Sequence, residues 1–136
     1  MKSYVLDANA VMRYLQKGPG FESVRELFKM AQRGNAHLMM SVINRGEVLY
    51  SLARRAGLPQ ATNALKTLAA SIELIDASEG TAYAAAILKR NYKPGYADCY
   101  AAELAMRAGA TLVTADPECV KLGRKIKILA LPRHSG

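Results

Sequence analysis

The 136-residue sequence has no tryptophan, two phenylalanines and two cysteines. Cys99 and Cys119 stand too far apart for a CxxC redox or zinc pair, and neither has a histidine at ligand spacing. Both read as small buried apolar side chains, so neither a disulfide scaffold nor a structural zinc centre is expected. The two histidines, His37 and His134, have no Ser or Cys partner in a nucleophile motif, which leaves a hydrolytic triad without its parts. Long apolar runs are missing as well. The longest stretch free of charged residues, Gly34 to Asn44, contains polar residues and falls far short of the roughly 20 apolar residues that span a bilayer. Near the N-terminus, Asp7 and Asn9 interrupt Tyr4-Val5-Leu6 before a signal-peptide core can form, so a cytoplasmic location is expected. Acidic residues are scarce: 11 Asp and Glu face 19 Lys and Arg, for a formal charge of +8. That surplus suits a polyanionic partner, nucleic acid or a membrane surface, and charge alone does not choose between them.

What is present is a core. Hydrophobic residues make up 51% of the chain and charged ones 22%, and the length fits one domain over residues 1–136. Short apolar runs alternate with helical periods, without repeats or low-complexity linkers, which is the pattern of an α/β fold. Strands are expected at 3–7, 37–41, 72–75, 111–114 and 125–129, and helices at 10–15, 21–33, 42–56, 59–71, 78–91 and 96–108. In the second helix, Val24, Leu27, Phe28 and Ala31 form one apolar stripe. Helical crossovers favour a parallel sheet of about five strands between two helical layers, with functional groups beyond the strands' carboxyl ends.

Four of the eleven acids fall at such places. Asp7 ends the first strand, Asp116 follows the fourth, Glu47 lies in the first turns of the helix after the second, and Asp98 opens the helix leading into the fourth. Carboxylates gathered in one pocket repel and need a cation or proton. Hard oxygen donors without neighbouring imidazole favour Mg²⁺ or Mn²⁺, which activate water and offset charge on a phosphoryl group. With these four set aside, 19 basic residues face 7 acids, a surface suited to guiding a phosphate backbone to an acidic notch. Each acid also has a structural reading. Asp7 and Asp116-Pro117 suit helix N-caps, Asn44-x-x-Glu47 resembles a capping box, and Asp98 complements a helix dipole.

Three segments carry a resemblance. Tyr4-Val5-Leu6-Asp7-Ala8-Asn9-Ala10-Val11 resembles the first strand and Asp-x-(Asn/Ser/Thr) motif of the PIN-domain ribonucleases, particularly the VapC-type toxins of prokaryotic toxin-antitoxin pairs. Ser41-Val42-Ile43-Asn44-Arg45-Gly46-Glu47-Val48 is similar to the segment carrying that family's second acid. The most specific part is Tyr96 to Ala105, with Asp98, followed by Gly109-Ala110-Thr111-Leu112-Val113-Thr114-Ala115-Asp116. The resemblance implies that Asp7, Glu47, Asp98 and Asp116 bind one or two Mg²⁺ or Mn²⁺ ions, with Asn9 and Thr114 as polar supports. Some members have another residue at the place of Asp116. The resemblance also implies a three-layer α/β/α fold, an RNA substrate, a homodimer, and a cognate antitoxin whose C-terminal segment covers the acidic site.

Arg54, Arg55, Lys89, Arg90 and Lys93 are the candidate contacts to RNA phosphates. Met30, Met39 and Met40 read as core filler, and Tyr96 and Tyr100 as packing rather than base-stacking surfaces. The function expected is that of a metal-dependent endoribonuclease, the toxin of a pair that inhibits translation. The alternatives are a housekeeping PIN nuclease of RNA maturation and a non-catalytic basic RNA-binding module. A receiver-type phospho-switch lacks its adjacent acidic pair and late lysine, and an Asp-x-Asp phosphatase is set aside because position 9 is Asn.

Overall fold

The computed structural model describes residues 1–132, so His134 lies outside the described residues. Five strands, β1 (Lys2–Leu6), β2 (Ala36–Ser41), β3 (Ile72–Ile75), β4 (Thr111–Thr114) and β5 (Ile128–Ala130), form one sheet in the order β3-β2-β1-β4-β5. Every pairing is parallel. The helices are α1 (Ala8–Gln16), α2 (Phe21–Gln32), α3 (Val42–Ala56), α4 (Leu58–Ala69), α5 (Glu79–Asn91), α6 (Tyr96–Ala108) and the short α7 (Pro117–Val120).

Successive strand residues point to opposite faces, and here both faces are apolar. Leu6, Leu38, Met40 and Val113 join a core with Val11, Val24, Leu27 and Phe28. Their neighbours Val5, Met39 and Leu112 join a second core with Ala101, Leu104 and Leu122. The sheet is therefore the middle of three layers, with α1, α2 and α4 on one side and α6 on the other, where α5 packs on α6. Met39 and Met40 are the core filler expected of them.

Local chemistry sets the boundaries. Asp7 leaves β1 to become the N-cap of α1, its Oδ1 accepting from the Ala10 N–H at 2.8 Å, so the helix starts at Ala8, before the expected Ala10. The second β-to-α junction has no loop: Ser41 ends β2 and caps α3 by accepting from the Ile43 N–H at 3.2 Å. Asn44 is therefore inside the helix rather than at its cap, which corrects the capping-box reading of Asn44 and Glu47. The last strand is shorter and later than its alternation suggested. The N–H groups of Lys125 and Ile126 both bond to the Leu122 carbonyl, at 2.8 and 3.2 Å, and the ladder begins only where Leu112 N–H meets the Lys127 carbonyl at 2.9 Å. α6 closes on Gly109 at φ +62°, a left-handed conformation that suits glycine.

Candidate active site

The topology prepares a crevice before any side chain is considered. β1 is central: its chain crosses over to β2 on one side, while β4 lies on the other. In an open parallel sheet the connections diverge at such a switch point, leaving a gap beyond the strands' carboxyl ends. Asp7 and Asp116 follow the two strands that flank this gap, and the Asp7 N–H is tied across it to the Val113 carbonyl at 3.3 Å.

Each acid is held by its local backbone. Asp7 is fully buried; its Oδ1 caps α1, and among the described residues Oδ2 has no hydrogen-bond partner. Asp116 caps α7, with Oδ1 accepting from the Glu118 N–H at 2.9 Å, while its own N–H donates to Thr114 Oγ1 at 3.0 Å. Thr114, itself fully buried, thus fixes the turn that carries Asp116. Asp98 sits in the first turn of α6, half-buried, where the helix dipole favours an anion. Gly95, the N-cap of that helix, leaves room for it: a Cβ there would stand 3.3 Å from Asp98 Oδ2.

Glu47 is reached through a residue whose role the sequence did not reveal. Asn44, wholly buried on α3, donates from Nδ2 to Glu47 Oε1 at 3.2 Å and to the Ala97 carbonyl at 3.0 Å. One amide thereby ties the second acid to the start of the helix that carries Asp98. Asn44→Ala removes both bonds and leaves the Ala97 carbonyl without this partner, at an expected cost of about 1–3 kcal/mol in urea unfolding. A variant as stable as wild type would show that the amide does not join the two helices.

Two of the acids, Asp7 and Asp98, feel the charges of the others. Burial raises the Asp7 carboxyl from 3.8 to about 6; the Thr114 side chain and Ala10 N–H act against the rise, and the charges of Asp116 and Glu47 add to it. Asp98 is raised to about 7, first by burial and then by Asp7, Asp116 and Glu47. This is the repulsion that the sequence implied, and a bound cation relieves it. Glu103 is buried too, but Arg107 Nε meets its two oxygens at 2.9 and 3.1 Å, so its charge is compensated outside the cluster.

Of the four expected acids, Asp98 and Asp116 offer oxygens within 4.8 Å of each other, and Asp7 adds a buried oxygen with no partner among the described residues, donors that suit a hard divalent ion. Cys119 was read as apolar filler and is indeed fully buried, yet its Sγ lies 3.8 Å from Asp116 Oδ2. Burial and the charges of Asp98, Asp116 and Asp7 hold its thiol far above the usual range, which keeps it protonated in the metal-free protein. Asn9 is exposed on the first turn of α1, and among the described residues its side chain makes no hydrogen bond.

The basic candidates divide. Lys89, Arg90 and Lys93 are exposed at the end of α5 and in the turn that leads to Asp98. Arg54 and Arg55 are exposed at the far end of α3, roughly 10–12 Å along the helix from Glu47. Arg54 also lies 5.2 Å from the Tyr50 ring centroid. Tyr96 and Tyr100 pack edge to face at 5.2 Å; Tyr100 is buried and Tyr96 is 46% exposed. Among the described residues no helix is long and apolar enough to cross a membrane.

The PIN domain family model matches residues 4–125. Among solved structures, the chain resembles VapBC2 from Rickettsia felis, bound to a DNA fragment from its promoter, with a TM-score of 0.72 and 23% identity over 95% of this chain and 98% of that one. DNA-bound VapBC from Salmonella typhimurium gives 0.72 and 21% over 96% and 98%. VapC20 from Mycobacterium tuberculosis, described as a sarcin-ricin loop cleaving toxin, gives 0.71 and 14% over 88% and 95%. At these identities the likeness is one of fold. No curated protein matches the sequence at a significant level.

Proposed function

The chain belongs to the PIN-domain family, and from that premise we propose that it is a divalent-metal-dependent endoribonuclease, the toxin of a toxin-antitoxin pair that inhibits translation. The observation that carries the reading is Asp7: a buried carboxylate that feels the charges of neighbouring acids, with one oxygen that has no hydrogen-bond partner among the described residues, is costly unless a cation shares it. A basic binding module whose acids only capped helices would have no use for that oxygen. Asp7, Glu47, Asp98 and Asp116 are the residues that would hold Mg²⁺ or Mn²⁺. When bound, the ion supplies the charge that activates water and offsets the developing charge of the phosphoryl group.

The chain's own residues do the rest. Thr114 fixes the turn of Asp116, Asn44 holds Glu47 against the start of α6, and Asn9, exposed on the first turn of α1, would meet substrate or water. Asp98, with a carboxyl raised to about 7 in the metal-free protein, would give up its proton as the ion binds. Lys89, Arg90 and Lys93 steer the RNA backbone toward the notch, with Arg54 and Arg55 as a more distant contact. Solved neighbours include a toxin-antitoxin complex from Klebsiella pneumoniae and a member of the VapBC family of toxin-antitoxin systems from Mycobacterium tuberculosis, which supports a cognate antitoxin as partner here as well. A homodimer and a cytoplasmic setting complete the proposal.

The test is cleavage of mixed total RNA by the purified, antitoxin-free protein in Mg²⁺, Mn²⁺ or EDTA. Cleavage in either metal and none in EDTA is the expected result. Intact RNA in all three, with binding indifferent to metal, favours the binding module. Toxicity on expression, relieved by co-expression of a neighbouring gene product, separates a toxin from a housekeeping nuclease.

A further inference from the structure

The donor set at the notch is not all oxygen. Cys119 Sγ and one carboxylate oxygen from each of Asp98 and Asp116 lie within 4.8 Å of one another. Donors bound at about 2.0–2.3 Å around one tetrahedral ion stand roughly 3.3–3.8 Å apart, so a small inward movement brings these three onto a single ion. A separate observation points the same way. Asp7, wholly buried, has an oxygen with no partner among the described residues, and its charge acts on both Asp98 and Cys119. The group within reach of one ion is thus one thiol and two carboxylates, with the Asp7 charge close enough to act on both kinds of donor, whereas Mg²⁺ and Mn²⁺ use only the carboxylates.

We propose that the notch is also a Zn²⁺ site, in which Cys119 Sγ, Asp98 and Asp116 bind the ion and Asp7 Oδ2 completes the set. Zn²⁺ takes sulfur and oxygen together, and it stands above Mn²⁺ in affinity for such donors. On binding, the Cys119 S–H bond is replaced by an S–Zn bond and the proton leaves to solvent, with no change of oxidation state. The ion so held occupies the acids that Mg²⁺ needs, so Zn²⁺ is an inhibitor of the nuclease. That consequence rests on the function proposed above; the metal site itself does not.

The experiment titrates Co²⁺, as a spectroscopic stand-in for Zn²⁺, into the metal-free full-length protein. Wild type and Cys99→Ser are expected to develop the near-ultraviolet thiolate-to-cobalt charge-transfer band, which added Zn²⁺ abolishes. Cys119→Ser and Cys119→Ala, checked for folding by circular dichroism, are expected to lack it. Asp116→Asn keeps the thiol and is expected to need on the order of tenfold more Co²⁺ or above. In Mg²⁺-supported RNA cleavage, Zn²⁺ is expected to inhibit wild type at a concentration on the order of tenfold lower than Cys119→Ser. No band in wild type, a band that survives in Cys119→Ser, or equal inhibition of the two proteins overturns the proposal. If RNA is never cut, the optical titration still decides the metal site, so failure of the nuclease reading and failure of the site are distinguishable.

Discussion

Asp98→Asn is expected to reduce RNA cleavage by roughly 10²–10³-fold or more, with the fold intact and the metal-free protein no less stable than wild type at pH 7.5. The activity loss follows from its position: Asp98 is the half-buried acid at the start of α6, raised to about 7 by burial and three neighbouring carboxylates. Removing one preorganised group that answers charge in a phosphoryl transition state costs on the order of 3–4 kcal/mol of barrier. The unchanged stability follows from the same surroundings. Asn keeps the shape and a hydrogen-bonding amide, loses some interaction with the α6 dipole, and removes a charge that three acids repel. Single-turnover cleavage and urea unfolding of the same preparations check both halves. Wild-type cleavage by Asp98→Asn removes the residue from the mechanism, whereas lost cleavage together with a large loss of stability would mean that the acid serves the fold.

Much of this site was legible because a parallel sheet is a strong constraint. Once Ser3-Tyr4-Val5-Leu6 and Thr111-Leu112-Val113 are read as buried strands joined by helical crossovers, Asp7 and Asp116 must emerge at the same rim, whatever their separation in sequence. Four elements, α3, β3, α6 and β4, have the expected boundaries, since the ends of α3, β3 and α6 coincide with strong signals, Ser41 at a cap, Asp76 after a short apolar run and Gly109 at a left-handed turn, and β4 begins just beyond that last turn. Other features depend on contacts that no local pattern encodes. Asn44 looks like a cap because the capping residues Ser and Asn both stand near the start of α3, and only the approach of Ala97 from α6 shows that it is a buried tie. The Lys125-Ile126-Lys127-Ile128-Leu129 alternation reads as a strand from its first residue, but the Leu122 carbonyl captures the first two N–H groups in a turn. Cys119 is apolar by type and buried by position, so its place beside Asp116 emerges only when α7 is packed.

Without metal, the protein is expected to lose stability as pH rises from about 4 to 7, and Asp7→Asn is expected to abolish much of that loss. Unfolded Asp7 ionises near 3.8 and the folded residue near 6. Between those values the native state keeps a proton that the unfolded chain has released, so stability falls with pH and levels off above the folded value. Asp98, raised to about 7, extends the window upward. The Asp7 difference alone corresponds to about 3 kcal/mol, with no solvent screening to reduce it because the side chain is wholly buried. Asn is as good an N-cap as Asp, so Asp7→Asn keeps the bond to Ala10 while removing the buried charge. In EDTA its Tm is expected to match wild type at pH 4 and to exceed it by about 5–10 °C at pH 8. Mg²⁺ or Mn²⁺ reverses the order: at pH 8 the ion stabilises wild type by supplying the missing partner of Asp7 Oδ2, and Asp7→Asn gains far less. Melting curves at four pH values, with and without metal, test this. A Tm difference independent of pH would show that Asp7 carries no raised pKa, and equal stabilisation of both proteins by metal would place the ion elsewhere. The expected pattern makes Asp7 a group that the fold tolerates at a cost and that only metal binding justifies, which is what distinguishes a catalytic acid from a helix cap.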